Sequence, residues 1–283
     1  MGTRYLKHTF YSALALGVLF GLATSASAQE ICDDATHPIT ACSTVDCSLL
    51  VPPDATCTLS GVQVSGNIIV EAGATLTTQN DFSCSTTPQP SVGGNVIATD
   101  AKCVSLTASS VGGNFIATGT SANCSNGANL LCTARVNGNV EILGSSSGVL
   151  WCIPSLGGCG CGASPAPLTV GGNFEFAHNA TSTTIKSVTI RGNLLFENNS
   201  EGGTVSGDKI GGNLTYDSNT GGANDVSTNS VGGNLQFNRN MTGPNTVSGN
   251  HASGNIQCFG NSPAPTGSGN TAGGVKSGQC KSL

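Results

Sequence analysis

The hydrophobic and polar positions of this chain follow one short pattern that returns along most of its length. In each copy an aliphatic residue, any residue and Gly-Asn are followed by an apolar, a variable and a second apolar residue. Such alternation with a period of two is typical of a β-strand that buries one face. The nine copies begin at Val64, Val92, Val111, Val136, Val170, Ile190, Ile210, Val231 and Ala252.

The spacing of the copies predicts how these strands are arranged. The glycine that precedes each Asn lies at positions 66, 94, 113, 138, 172, 192, 212, 233 and 254, and a degenerate tenth copy surrounds Gly274. The later intervals are 20 or 21 residues, and the larger early ones mark insertions. Two or three short strands per unit of about 20 residues, joined by turns and without helical periodicity, predict an all-β, single-domain parallel β-helix of about ten coils.

Stacked coils would bring equivalent residues into ladders, because neighbouring strands lie about 4.8 Å apart. The aliphatic residue that opens each copy forms the first predicted ladder. A second comprises Phe174, Leu194, Leu214, Leu235 and Ile256, and a third comprises Phe176, Phe196, Tyr216 and Phe237. A weaker apolar column seven residues before the repeat glycine contains Ile185, Val205, Val226 and Val247.

Two columns of asparagine accompany the apolar ladders. Asn tolerates a left-handed backbone and can pass side-chain hydrogen bonds along a stack, so we interpret both columns as turn ladders rather than ligand sites. The column after the repeat glycine contains Asn67, Asn95, Asn114, Asn139, Asn173, Asn193, Asn213, Asn234 and Asn255. The column seven residues past that glycine contains Asn179, Asn199, Asn219, Asn240 and Asn261.

The N-terminal segment has the three parts of a secretory signal. It starts with Arg4 and Lys7, continues with an apolar run over about residues 11–23, and ends on Ala26-Ser27-Ala28. We therefore predict that residues 1–28 are a signal peptide. No later stretch approaches the roughly 18 apolar residues of a membrane span. The expected location is extracellular or at the cell surface, with the periplasm as the alternative.

Composition and charge narrow the classes of partner. Charged residues make up only 9% of the chain, against roughly 25% in globular proteins. The 40 glycines and 37% hydrophobic residues exclude collagen, coiled coil and charge-driven disorder. After removal of residues 1–28, eight Lys and Arg stand against 15 Asp and Glu, a net charge of −7. This balance disfavours nucleic acid and anionic lipid as partners.

The 13 cysteines all follow the predicted signal peptide, so disulfides are the first interpretation. Cys84 and Cys103 each lie ten residues before a repeat glycine and are expected to pair on adjacent coils. Cys132 and Cys152 are 20 residues apart and are a second candidate pair. We expect Cys258, which takes the ladder place of Phe237, to pair with Cys280 and lock the last coil.

The remaining cysteines define two irregular regions. Four precede the first repeat copy and predict a cysteine-rich N-terminal cap over residues 29–57, followed by the β-helix over 58–283. Its insertions lie near 120–165, where we expect the odd cysteine to remain unpaired. The motif Cys159-Gly-Cys161 there, near Cys124 and Cys152, leaves metal binding or redox exchange as alternatives to structural bridging. It lacks the C-x-x-C spacing and a neighbouring His. The four cap cysteines are Cys32, Cys42, Cys47 and Cys57.

The pattern (V/I)xGN(L/I/F), together with the segments 255–270 and 276–280, resembles a class of uncharacterised secreted bacterial repeat proteins with a Cys-capped C-terminal segment. The resemblance covers about residues 55–280, and the terminal segment is its most specific part. It implies a right-handed parallel β-helix, similar in coil shape to pectin-lyase-like and bactofilin-like solenoids. It implies no activity.

Candidate catalytic residues are sparse. Solenoid enzymes that cleave acidic polysaccharides need clustered carboxylates, and the best candidates are Glu197 and Asp217, with Glu175 and Arg239 as companions. The alternative interpretation of these residues is solvated turn positions. The other residues considered are His37, His178 and His251, which have no nucleophile at a recognisable spacing, and Trp151, which is expected to bury the longest insertion or else to stack on sugar.

The sequence thus favours a non-enzymatic secreted or cell-surface β-solenoid with a structural, adhesive or matrix role, without cofactor or metal. A surface glycan or another copy of the chain is the expected partner. The alternatives are a glycan-cleaving or glycan-binding β-helix protein and a self-assembling filament subunit. Ice binding is weakly indicated by a threonine column that Asp225 interrupts. This column contains Thr184, Thr204, Thr246 and Thr266.

Overall fold

A computed structural model of the chain describes residues 29–81, 83–84, 89–121, 129–132, 134–146, 149–150 and 168–283. The expected signal peptide therefore lies outside the described residues, as do Trp151 and the cysteines at 124, 152, 159 and 161. Every regular element in the described part is a β-strand. This part contains no helix that could cross a membrane.

The strands form a parallel β-solenoid of about ten turns with three sheets, and a complete coil contributes one strand to each of them. Sheet 1 contains β1 (Gln29–Ile31), β3 (Ser48–Val51), β6 (Ile68–Val70), β9 (Val96–Thr99), β12 (Phe115–Thr118), β15 (Val140–Leu143), β18 (Phe174–Ala177), β21 (Leu194–Glu197), β24 (Leu214–Asp217), β27 (Leu235–Asn238), β30 (Ile256–Phe259) and β32 (Lys276–Gly278). Sheet 2 contains β2 (Thr44–Val45), β5 (Gln63–Val64), β8 (Ser91–Val92), β11 (Ser110–Val111), β14 (Arg135–Val136), β17 (Thr169–Val170), β20 (Thr189–Ile190), β23 (Lys209–Ile210), β26 (Ser230–Val231), β29 (His251–Ala252) and β31 (Thr271–Ala272). Sheet 3 contains β4 (Thr56–Ser60), β7 (Thr75–Gln79), β10 (Cys103–Thr107), β13 (Asn129–Cys132), β16 (Val149–Leu150), β19 (Thr183–Lys186), β22 (Gly203–Ser206), β25 (Asn224–Ser227) and β28 (Asn245–Ser248).

The predicted apolar ladders are confirmed by the strand registers. The aliphatic opening residues stack in sheet 2, and the two other repeat ladders stack in sheet 1. The weaker column stacks in sheet 3. Cys258 takes the place opposite Phe237, as expected. The buried side chains of all three sheets meet in one continuous core, because each strand alternates one inward and one outward position.

The N-terminal segment 29–57, expected to be a cysteine-rich cap, carries strands of the solenoid. β1, β2 and β3 already pair in sheets 1 and 2, and β4 begins sheet 3 at Thr56. The coils therefore begin well ahead of residue 58, because the segment 29–57 supplies strands in register with the first repeat copy.

The aromatic ladder stacks face to face inside the core. The ring centroids of Phe176 and Phe196 lie 5.1 Å apart, those of Phe196 and Tyr216 lie 4.6 Å apart, and those of Tyr216 and Phe237 lie 5.2 Å apart. All four rings are fully buried. The Tyr216 hydroxyl accepts a hydrogen bond from the Gly203 amide at 2.9 Å, so its polar atom is satisfied within the core.

The column of Asn residues after the repeat glycine explains the Gly-Asn pair. Each side-chain oxygen accepts a hydrogen bond from the backbone amide of the equivalent Asn one coil later, as Asn193 does from Asn213 at 2.8 Å. The bonds run unbroken from Asn67 to Asn255. A Cβ atom at Gly212 would collide with the Asn193 side-chain oxygen. The repeat position must therefore be glycine, because it packs directly against the Asn side chain of the preceding coil.

We expect Gly212→Ala to lower the free energy of unfolding by roughly 1–3 kcal/mol, because the new methyl group displaces the Asn193 oxygen from its hydrogen bond. The same substitution in an Asn193→Ala background is expected to cost about 1 kcal/mol less. Chemical denaturation of the four proteins of this double-mutant cycle measures the difference. Additive losses would contradict the steric explanation of the repeat.

Three disulfides join the described residues at the two ends of the solenoid. The predicted pair Cys258–Cys280 is confirmed, with Cα atoms 5.2 Å apart. At the other end Cys32 pairs with Cys57, and Cys42 pairs with Cys84. Both ends are thus covalently tied, which restricts fraying of the terminal coils.

The predicted pair Cys84–Cys103 is wrong. Cys84 is bonded to Cys42, and Cys103 is bonded to a different cysteine. The equal spacing to the repeat glycine is misleading, because eleven residues separate β7 from β8 whereas two separate β10 from β11. The register instead places Cys103 opposite Thr75. For the pair Cys132 and Cys152, β13 places the backbone of the first residue in sheet 3, and the second lies outside the described residues.

A free thiol lies near the N-terminal end of the solenoid. Cys47, half-buried in the turn between β2 and β3, is the free thiol among the described cysteines. Spacing did not indicate it, because it does not reveal that Cys42 pairs with the distant Cys84. The cysteines at 124, 152, 159 and 161, where an unpaired cysteine is also expected, lie outside the described residues.

Candidate functional site

The outer faces of the three sheets differ in chemistry, and carboxylates are concentrated on sheet 1. Glu141 and Glu175 lie opposite each other on β15 and β18, and Glu197 lies opposite Asp217 on β21 and β24. These two pairs, which we call the acidic row, lie on four successive coils, and the second pair is two residues further along its strands, because Glu175 lies opposite Leu195.

The pair predicted from sequence, Glu197 and Asp217, is brought together by the register of β21 and β24. Of the expected companions, Arg239 donates from Nε to Asp217 Oδ1 at 2.9 Å and from a terminal nitrogen to Oδ2. Glu175 lies one coil earlier, on β18, opposite Leu195 of β21. Asp217 is only 8% exposed, whereas the Arg239 side chain is 67% exposed. Asp217 is thus covered by its own counter-ion.

The three glutamates of the acidic row are half-buried, and both burial and neighbouring carboxylates disfavour their negative charge. Burial raises the pKa of Glu141, and the neighbouring charge of Glu175 adds to the effect. Burial likewise raises the pKa of Glu175, with a contribution from Glu197. For Glu197 burial again raises the pKa, Asp217 adds to it, and His178 and Arg239 oppose it. Neighbouring cationic groups therefore neutralise the negative charge of the row only in part.

Sheet 2 presents the opposite charge. An open groove of about 420 Å³ runs across β20, β23 and β26. Its lining carries two cations, Arg191 and Lys209, beside the hydroxyls of Thr189, Ser230 and Ser253, and we call it the basic groove. A second groove of about 290 Å³ on β5, β8 and β11 is lined by uncharged side chains and backbone. Neither groove places a carboxylate beside a base.

Sheet 3 presents small hydroxyl side chains. The predicted threonine column is confirmed, and Asp225 interrupts it as expected. At the other end of the sheet Thr58, Thr77 and Ser105 form a second short column. The hydroxyl face is therefore broken into separate tracts.

The histidines do not form a catalytic constellation among the described residues. His37 contacts the Thr36 hydroxyl at 2.8 Å, and His251 contacts the Thr271 hydroxyl at 2.7 Å. Both pairs are exposed. His178 is exposed beside the acidic row. The cluster of Cys42, Asp81 and Cys84 has the residue types of a metal site, but its two sulfur atoms are joined in a disulfide.

The second predicted Asn column is a ladder of another kind. Its side chains are buried, and each accepts from the backbone amide of the preceding coil, as Asn219 does from Asn199 at 3.1 Å. Its amide nitrogen donates to the Phe196 carbonyl at 3.2 Å. The left-handed backbone expected for these residues belongs instead to the position before them, as at Ser218, because the ladder side chain must point inwards.

Sequence reasoning missed a third ladder, at the end of sheet 3. It comprises Asp208, Asn229, Asn250 and Asn270, each four residues before a repeat glycine. This regular offset was the signal available in the sequence. The carboxylate at its first position is unusual, because Asp208 is 2% exposed and its Oδ2 has no hydrogen-bond partner. Desolvation raises the pKa of Asp208 to about 7.

Comparison of the chain with protein-family models, curated proteins and solved structures gave no match. The resemblance to secreted bacterial repeat proteins therefore stays a prediction from the repeat pattern, and the functional argument depends on the geometry of this chain.

Proposed function

We propose that the chain is a non-enzymatic secreted or cell-surface β-solenoid with a structural, adhesive or extracellular-matrix role. The observation that carries this proposal is the use made of the repeated polar residues. The Asn side chains of three columns bond one another and the backbone from coil to coil. Those amides are committed to holding the solenoid together, so the repeat itself specifies a rod rather than a substrate site.

The covalent ties support the same role. Cys32–Cys57 and Cys42–Cys84 join the first coils, and Cys258–Cys280 joins the last ones. Disulfides of this number are typical of proteins that work in an oxidising compartment outside the cytosol. A rod fastened at both ends suits a part that bears load or spaces other molecules.

The alternative is a carbohydrate-active protein with Glu197 and Asp217 in its site. Adjacent carboxylates favour it, since glycan cleavage uses an acid and a base or nucleophile. Against it stands the Arg239 guanidinium, which occupies both oxygens of Asp217. A general acid or base must reach the atom with which it exchanges a proton. We therefore rank glycan cleavage second.

A filament subunit is the further alternative. β1 and β32 are the two edges of sheet 1, and an edge strand can template addition of another strand. The segment that follows β32 is tied back by Cys280, which opposes growth at that end.

We expect the purified protein to release neither reducing ends nor unsaturated uronates from polygalacturonate or alginate, because Asp217 is held by Arg239. Cleavage by the wild type that is lost in both Glu197→Gln and Asp217→Asn, with unchanged circular dichroism spectra, would overturn the structural proposal. Antibody labelling of intact cells tests the surface location independently, and signal only after lysis would contradict it.

A further inference from the structure

The acidic row and the cations of sheet 2 overlap along the solenoid axis. Arg135 on β14 belongs to the same coil as Glu141 on β15. Two coils further on, Arg191 directly follows β20 and Glu197 ends β21. The next coil carries Lys209 on β23. Charge of opposite sign therefore occupies two different faces of the same few coils.

Apart from Asp217, which Arg239 covers, these charges lack ion-pair partners within the described chain. The ion pair between Arg239 and Asp217 is the one formed in that part of the molecule. Arg191 and Lys209 are exposed and pair with none of its carboxylates. Burial raises the pKa of Glu141 and Glu175, and a neighbouring glutamate adds to each effect, so a cation brought to the row would relieve repulsion between the carboxylates.

We propose that the chain associates side by side with other copies of itself, the acidic row of one solenoid docking against the basic groove of the next. The proposal deepens the structural role proposed above by naming a partner for the rod. Arg191 and Lys209 lie on adjacent coils, about 4.8 Å apart along the axis, and so do Glu175 and Glu197. Parallel copies displaced by one coil along the axis therefore place Glu175 and Glu197 at the levels of Arg191 and Lys209.

The contact joins two different surfaces, so it is heterologous and grows into a row unless the rotation between copies closes a ring. Each copy keeps a free basic groove on one side and a free acidic row on the other, and rows of solenoids can grow from such a heterologous contact. A second copy fits the groove better than an unrelated anion, because its Glu175 and Glu197 share the one-coil spacing of Arg191 and Lys209. The contact consists of exposed charges and is screened by salt.

Sedimentation velocity of the full-length secreted protein tests the proposal. We expect the mean mass to rise with concentration at about 20 mM salt and to return to that of the monomer at about 500 mM. Two variants each remove one face: Glu175→Gln with Glu197→Gln removes the acidic row, and Arg191→Gln with Lys209→Gln removes the cations of the groove. Either pair of substitutions is expected to weaken association about tenfold.

The decisive measurement mixes the two variants in equal amounts. Each retains the face that the other lacks, so the mixture is expected to form one-to-one dimers and nothing longer. Matched controls change the net charge equally on other surfaces and should associate like the wild type. They are Glu201→Gln with Asp46→Asn, and Lys186→Gln with Lys281→Gln.

A wild type that stays monomeric at low salt would overturn the proposal, as would undiminished association of either variant. Binding of an acidic glycan to the monomeric wild type, lost on substitution of Arg191 and Lys209, would also overturn it and assign the groove to glycan. The glycan-cleavage assay is run on the same preparations. Failure to associate thus leaves the non-enzymatic role standing, whereas cleavage would remove that role whatever the mass distribution.

Discussion

Replacing Asp208 by Asn is expected to stabilise the protein at about pH 8 by roughly 2–4 kcal/mol. In the third ladder Asn229 donates its amide to the Val205 carbonyl at 2.8 Å and to Asn250 at 3.0 Å. Asp208 holds the equivalent position one coil earlier, where Ile185 lies opposite Val205. Its Oδ1 accepts from the Val188 amide at 2.8 Å, but its Oδ2 is buried without a partner. An amide would supply the missing donor.

The pH dependence has a definite direction. The pKa of Asp208 rises from an ordinary 3.8 to about 7 in the folded protein, through desolvation. Below about pH 4 the carboxyl is protonated in both the folded and unfolded states. As pH rises from there through about 7, the unfolded chain loses this proton first, so the free energy of unfolding falls by up to roughly 4 kcal/mol. The neighbouring ladder residues, Val188 and Asn229, carry no charge that could offset the loss.

Urea denaturation of the wild type and Asp208→Asn at several pH values measures this effect. The difference between them should be near zero at about pH 4 and largest above about pH 7. Asn229→Asp is the matched control, because it places a carboxylate at the next position of the same ladder and should destabilise with the opposite pH profile. A constant difference across the pH range, or a less stable Asp208→Asn at high pH, would contradict the account.

The second large effect is expected from Asn219→Ala, which should lower the free energy of unfolding by about 4 kcal/mol or more. Asn219 is fully buried, and its side chain bonds to Asn199, Asn240 and the Phe196 carbonyl. Truncation leaves these partners unsatisfied in a place where water has no access. Unpaired buried polar groups cost about 1–3 kcal/mol each.

The exposed ladder supplies the comparison for this loss. Asn213 also accepts a backbone hydrogen bond, from Asn234 at 2.8 Å, but its side chain lies at the surface. Water can replace the lost partner there, so Asn213→Ala should cost only about 1 kcal/mol. Thermal and guanidinium unfolding of both variants checks the contrast. Equal losses would show that burial does not set the strength of the ladders.

The fold was predictable because each coil repeats the same local pattern of residues. Alternation around Gly-Asn identifies the strand of sheet 1, and the 20-residue period identifies the coil. The pair Glu197 and Asp217 followed from the same count, since both lie five residues past a repeat glycine. The partner of Cys84 could not be predicted in this way. A long loop precedes β8, so the number of residues between Cys84 and the repeat glycine does not give its position in the coil.

The period, the apolar ladders and the closing disulfide follow from the order of residues alone, because they depend on residues at equal offsets from the repeat glycine. The burial of polar residues, the position of the free thiol and the axial levels of the charges become visible only in the folded chain. Those properties depend on how far each loop reaches and on what the next coil places over a side chain. Asp208 illustrates the difference. Nothing in the sequence distinguishes it from other aspartates, but the stacked coils bury its carboxyl group and leave Oδ2 without a hydrogen-bond donor.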